Sequence, residues 1–288
     1  MTPALERFSA GLAVEDEAID LARACLQVAE DPYPGLDVDG YVGEIERFAR
    51  RLDARLGAGA SREDRVIALN DFLFAELGFE GNSGNYYDPR NSYLNEVIDR
   101  RRGIPITLAI LYMEIGRRVG LPLEGVSFPG HFLVRLPMRG GTLVLDPYSG
   151  GVPVSEDELR ARLKRVIPRV AGSAAPGGVA VGDLPLEQFL ERAGKRQVLA
   201  RLLRNLKGVY REQDRPERLL EVLNRMLIVA PEAATELRDR GYVYRRLECW
   251  RPALQDLADY LEREPDAPDL AEVRASMVEL SRRCAHLN

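Results

Sequence analysis

The sequence predicts an α+β protein: a helical N-terminal part, a core with a small antiparallel sheet, and C-terminal helical repeats. Three observations carry that expectation. Ile104, Ile106, Leu108, Ala109, Ile110, Leu111, Met113 and Ile115 leave almost no polar face, the mark of a helix buried on most sides. Two alternating stretches flank Arg139-Gly140 and read as a β-hairpin. From Leu203 onward, apolar positions recur every 34 residues.

Composition bounds what such a fold does. A chain of 288 residues holds one large or two ordinary domains and can bury a substantial core. Its 45% hydrophobic and 30% charged residues are those of a soluble globular protein. A net charge of −5 leaves no footprint for nucleic acid or an acidic membrane. Cys25, Cys249 and Cys284 are scattered without metal-ligand spacing, which points to a reducing compartment. No run of about 18 apolar residues occurs, and the N-terminus lacks a basic segment followed by an apolar one. A cytoplasmic location is expected. The only other histidine is His286, so neither a metal nor another cofactor is expected.

The first eleven residues carry no strong periodic signal. Val14, Ala18, Leu21, Ala22, Cys25 and Ala29 then mark an amphipathic helix ended before Pro32, with Cys25 as inert packing on its stripe. Asp37 caps a second helix with Tyr41, Ile45, Phe48, Leu52 and Leu56 inward. Ser61 caps a third, with Val66, Leu69, Phe72, Leu73 and Leu77 inward and a stop at Gly78. A polar loop from Phe79 to Arg90 leads to a helix capped by Asn91 or Ser92 and running to about Arg101. The apolar helix follows. Pro105 suits its first helical position, and Gly120 before Leu121-Pro122 is its stop.

A two-residue turn at Arg139-Gly140 sets the hairpin register: Leu136 faces Leu143, Val134 faces Leu145, and Leu133 faces Asp146. Phe132, Val134, Leu136, Leu143 and Leu145 then share the core face. His131, Leu133, Arg135, Val144 and Asp146 share the other, which is expected to lie away from the core. His131 and Asp146 become diagonal neighbours, roughly 5–8 Å apart at their β-carbons. Gly130 permits another backbone to come close.

Beyond the hairpin, Ser155 caps a helix to about Val166, with Asp157 and Glu158 in its first turn. Ala171–Gly182 is small and Gly-rich and reads as a linker or mobile loop. Leu203, Tyr210, Leu220, Leu223, Leu227 and Pro231 recur 34 residues later as Leu237, Tyr244, Leu254, Leu257, Leu261 and Pro265. That is the tetratricopeptide period. Two repeats and a final helix, Asp269 to Ala285, are too few for a free solenoid and are expected to dock on the first domain. The expected domains are 1–170, a linker at 171–184, and repeats at 185–288.

A buried helix whose start faces a His–Asp pair on adjacent strands resembles the transglutaminase-like core of the papain-related superfamily. The stretch containing Asn82, Tyr86, Pro89-Arg90-Asn91-Ser92, Arg102-Gly103-Ile104-Pro105-Ile106-Thr107-Leu108, Gly130-His131-Phe132 and Asp146-Pro147 resembles the bacterial SirB branch, in which tetratricopeptide repeats follow such a domain. The resemblance implies His131 as base and Asp146 as its orienting carboxylate. It also implies a cysteine nucleophile at the helix start, and there the chain departs: Pro105 stands in the place of the thiol. A proline offers no nucleophile, whereas a cysteine there would be activated by the helix dipole and His⁺. Thr107 is the nearest hydroxyl.

The expected binding group is Asn82, Tyr86, Tyr87, Asn91, Ser92 and Thr107, forming a wall beside His131, with the helix start open to an anion. The expected function is therefore non-catalytic. A transglutaminase-like protein would bind a protein or peptide through the His131 cleft, the repeats, or both. The alternative is an amide hydrolase or transferase using His131 and Asp146 with an unrecognised nucleophile or a bound water.

Overall fold

The computed structural model describes residues 2–57, 59–170 and 185–285. It forms two compact units, Asp16–Arg201 and Met1–Glu15 with Leu202–Asn288. Residues 1–15 thus group with the repeats, and 185–201 with the α+β core. The expected linker, 171–184, lies outside the described residues.

The chain opens with α1 (Pro3–Gly11), capped by Thr2 with Pro3 in its first turn. Within the helix only Phe8 is buried, with Leu5 half-buried and Leu12 buried at the C-cap. The next helix is shorter than its periodicity suggests. Val14 is exposed, Asp16–Ala18 is a single 3₁₀ turn, and α2 (Leu21–Gln27) starts where the Asp20 carboxylate accepts from Arg23 N. Asp37 caps α3 (Val38–Asp53) and Ser61 caps α4 (Arg62–Asn70), as expected. A π turn over Asp71–Glu76 then widens the helix before Gly78.

Two short parallel strands, β1 (Glu80–Gly81) and β2 (Arg102–Gly103), bracket α5 (Leu94–Arg100). Neither Asn91 nor Ser92 caps α5: Tyr93 is the capping residue, without a side-chain bond, because Asn91 is engaged elsewhere. Then comes α6 (Pro105–Arg118), with every residue from Pro105 to Gly116 buried and Gly120 left-handed just past its end. Its burial follows from its sequence; no face is polar enough to stay wet.

The main sheet is antiparallel, ordered β3 (Glu124–Val126), β4 (Leu133–Met138), β5 (Gly141–Asp146) and β6 (Val152–Pro153). Val134 pairs with Leu145 and Leu136 with Leu143, the register set by the turn. Phe132, Val134, Leu136 and Leu145 are buried on the predicted core face. The opposite face is a correction. Leu133 and Val144 are buried there with Val126, Phe128 and Val154 beneath Leu159 and Leu163 of α7 (Glu156–Val170), so a second core covers the face expected to be open.

The remaining helices are α8 (Lys195–Glu212), α9 (Pro216–Val229), α10 (Ala234–Arg246), α11 (Trp250–Arg263) and α12 (Leu270–Ala285). The period is visible in the backbone: Asp214 and Glu248, 34 positions apart, both take left-handed φ in the turn inside a helix pair. Tyr210 is buried, but its counterpart Tyr244 is only half-buried, with the Arg240 guanidinium 5.7 Å from its ring centre. The first pair gains an extra support, since α1 packs on α9 and Phe8 lies under the Arg225 guanidinium. Among the described residues no helix is long and apolar enough to cross a membrane.

Candidate functional site

His131 sits at the entrance to β4 and Asp146 at the exit of β5. Their side chains meet: His131 Nε2 is 2.9 Å from Asp146 Oδ1. Gly130 makes the approach possible in two ways. Its φ is +72°, and a β-carbon there would press on Val166 of α7.

Asp146 is the most heavily used carboxylate in the region and is fully buried. Besides His131, its Oδ1 accepts from Tyr148 N at 3.2 Å, capping the short turn Pro147–Ser149. Its Oδ2 accepts from Arg162 Nη1 at 2.9 Å and from the Ser149 hydroxyl at 3.2 Å. Burial alone would raise this carboxyl, but the His131 hydrogen bond and charge, with those of Arg162, hold it below the usual carboxylate range. The two glycines after the turn close it. Gly151 N donates to Asp146 O, and Asn70 Nδ2 donates to Gly151 O while Asn70 Oδ1 accepts from Tyr112 of α6.

Arg162 was not legible as a site residue. It lies on the half-buried flank of α7, four residues after its second partner Glu158 (Nη2 to Oε1, 2.6 Å). The only local signal is the Glu158–Arg162 spacing; the link to Asp146 is tertiary. Tyr148 was missed too. Its ring meets His131 edge-on at 5.9 Å and lies over Gly81, where any side chain would collide with it. Gly81 pairs with Gly103, two residues before Pro105. A cavity of about 300 Å³ opens beside His131, between Gly130 and Ser149 on one side and Arg162, Arg165 and Val166 on the other.

The predicted wall residues divide into two groups. Asn91, Ser92 and Thr107 are buried and Asn82 is half-buried. Asn91 Nδ2 donates to the carbonyls of Asn85 (2.7 Å) and Tyr86 (3.3 Å), and its Oδ1 accepts from Asn82 Nδ2 (3.0 Å). Thr107 Oγ1 accepts from Ile104 N (3.1 Å) and faces the carbonyls of Asn91 (2.8 Å) and Ile104 (3.1 Å). The hydroxyl thus fastens the loop to the start of α6 and is itself engaged. Pro105 is buried at that start.

Tyr86 and Tyr87 are the exposed members, 40% and 61% accessible, with rings edge-to-face at 5.4 Å. Burial of part of Tyr86 pushes its phenol up, a rise opposed by the charge of Arg201 and reinforced by Tyr148 and Tyr87. The rings thus pair two by two, Tyr86 with Tyr87 and Tyr148 with His131. Of the thiols, Cys25 is buried in the core, where desolvation raises it well above its ordinary value. Among the described residues no group of three His, Cys, Asp or Glu side chains is placed to hold a metal.

Comparison with known proteins agrees with the fold. Residues 39–204 match the model of the transglutaminase-like superfamily, and residues 206–277 that of a tetratricopeptide repeat. A UPF0162 protein of Xylella fastidiosa (strain Temecula1) is 42% identical over 268 residues, covering 93% of this chain and 92% of that one. Protein SirB1 of Salmonella typhimurium is 28% identical, covering 81% and 82%. A crystal structure of menin aligns over 96% of this chain and 74% of that one at 15% identity, with a TM-score of 0.40 that carries no argument.

Proposed function

We propose a function from one premise: the chain belongs to the SirB family of the transglutaminase-like superfamily, with tetratricopeptide repeats behind its core. It is a binding protein that has lost catalysis. Its partner is a protein or peptide, held at the His131 cleft, by the repeats, or by both.

The observation that supports this reading is Pro105. The residue that would carry the nucleophile has none, and it is buried at a helix start whose neighbouring hydroxyl, Thr107, is already hydrogen-bonded. Asp146 is shared between His131 and Arg162, which suits a fixed recognition surface. Tyr86 and Tyr87 supply exposed aromatic area of the kind that dominates recognition. Three unpaired cysteines support a cytoplasmic location.

Peptides bound to the full-length protein, recovered after prolonged incubation and weighed by mass spectrometry, test the proposal. Intact peptides are expected, with binding lost in a Tyr86→Ala, Tyr87→Ala variant. Cleaved, deamidated or cross-linked peptides would return the protein to the enzymes.

A further inference from the structure

The α+β unit holds another cavity, about 350 Å³, that shares no lining residue with the His131 cleft. Asp37, Tyr41 and Glu44 line it from α3 and its cap, and Ile98, Asp99 and Arg101 from the end of α5. Its charges are opposite in sign yet do not pair with one another. Arg101 makes no ion pair or side-chain hydrogen bond among the described residues, although its guanidinium is fixed against Phe48 and Phe79, 5.0 and 4.7 Å from their ring centres. Its Nη1 is buried, which leaves the Nε–Nη2 edge to the cavity. The residue also holds a φ of +60°, a conformation that favours glycine, so this side chain is kept against the preference of its backbone. Around the same cavity, Asp37 Oδ1 accepts from Gly40 N at 2.8 Å and Asp99 Oδ2 from the Tyr41 hydroxyl at 2.6 Å. The second oxygen of each has no partner among the described residues, and neither aspartate has a cation there. Glu44 does, in Arg47.

We infer that this cavity binds a small zwitterion of the α-amino acid class, its carboxylate on the Nε–Nη2 edge of Arg101 and its ammonium between Asp99 and Asp37. Both charges are needed. An amine alone would leave the guanidinium unpaired and be repelled by it, and an anion alone would meet the carboxylates of Asp37, Glu44 and Asp99. A guanidinium edge meets a carboxylate through two hydrogen bonds at once, and an ammonium has donors enough for both free aspartate oxygens. Burial lowers the Arg101 guanidinium while the charges of Glu44 and Asp99 raise it, so those carboxylates act on it from beyond ion-pair distance. None of these residues belongs to the partner-binding reading above, so the two stand or fall separately.

Calorimetric titration of the full-length protein with each of the proteinogenic L-amino acids tests it. At least one should bind. Its decarboxylated amine and its N-acetyl derivative should each bind about tenfold more weakly or worse, since each lacks one charged, hydrogen-bonding end. Arg101→Met should weaken binding of the amino acid by a similar factor, with an unfolding curve to confirm that the variant folds. Asp99→Asn, at an exposed position, should do the same without disturbing the fold, and it decides the matter if the Arg101 variant is unstable. An amine that binds as tightly as its parent amino acid would overturn the zwitterion in favour of a simple cation. Amino acid binding indifferent to Asp99→Asn would overturn the site, and no binding by any amino acid would overturn the inference outright. Each of these results leaves the partner-binding function standing.

Discussion

The start of α6 and the end of β5 are the two halves of one frame, and they are finished differently. At the helix start, Pro105 is buried, Thr107 caps Ile104, and Asn91 ties the preceding loop down. At the strand end, His131 keeps about a fifth of its side chain accessible beside a cavity, backed by a carboxylate with almost none. One half has become scaffold, while the other still faces solvent with its acceptor held in place. The difference teaches that the His–Asp pair is held by its own neighbours, Arg162, Tyr148 and Ser149, and does not draw on the helix start for support.

The contrast can be broken from either side. The largest effect is expected at Asp146, since its removal strands a guanidinium and several donors designed around a buried charge. Asp146→Ala should lower unfolding free energy by about 3 kcal/mol, read by chemical denaturation. Asn91→Ala should follow at about 2–3 kcal/mol, because two backbone carbonyls and the Asn82 amide lose a buried partner. It should also loosen the tyrosines, and hydrogen exchange over residues 82–92 should rise.

A pH titration sharpens the comparison further. The folded Asp146 carboxyl titrates below its unfolded counterpart, so its stabilisation is fully present above the ordinary pKa of about 3.9 and is lost as pH falls through the folded value. Arg162→Met removes one cause of that depression. The acid-induced loss of stability should therefore be smaller than in wild type and complete at higher pH, its onset still set by the unfolded carboxyl, and the lost ion pair should show near neutrality. The smallest stability effect belongs to Tyr86→Ala and Tyr87→Ala, within about 0.5 kcal/mol for exposed side chains, although partner binding should fail. A large loss of stability there would make the tyrosines scaffold and remove the distinction between them and Asn91.

Why some of this was legible and some not follows from the residues. The hairpin register rests on a turn and an alternation, both local, so Val134–Leu145 and the His131–Asp146 contact could be derived. The second core was signalled by Leu133 and Val144, two apolar side chains on the face assigned to solvent, but the helix that covers them lies some twenty residues away in sequence. Asn91 was ambiguous by chemistry. The same amide that caps helices also clamps loops, and only the positions of the Asn85 and Tyr86 carbonyls decide which it does. Arg162 depended on a partner in another element. Helix α1 was missed although Thr2 caps it and Leu5, Phe8 and Leu12 follow at helical spacing, because a helix of 9 residues shows too few turns for the pattern to stand out.

The central claim is that position 105 is the seat of a lost nucleophile facing a retained His–Asp pair. Pro105→Cys, made with Cys249→Ser and Cys284→Ser so that buried Cys25 is the only other thiol, tests it through iodoacetamide labelling across pH. The first helical position tolerates the change, since the N–H that proline lacks has no partner inside a helix. The plateau of the rate reports access, and burial of the helix start predicts a low one. The midpoint reports the surroundings of the thiol. It should lie below the ordinary cysteine value of about 8.5 and rise when His131→Ala is added. A midpoint at or above that value, indifferent to His131, would contradict the account, and the loss of catalysis argued from Pro105 would fall with it.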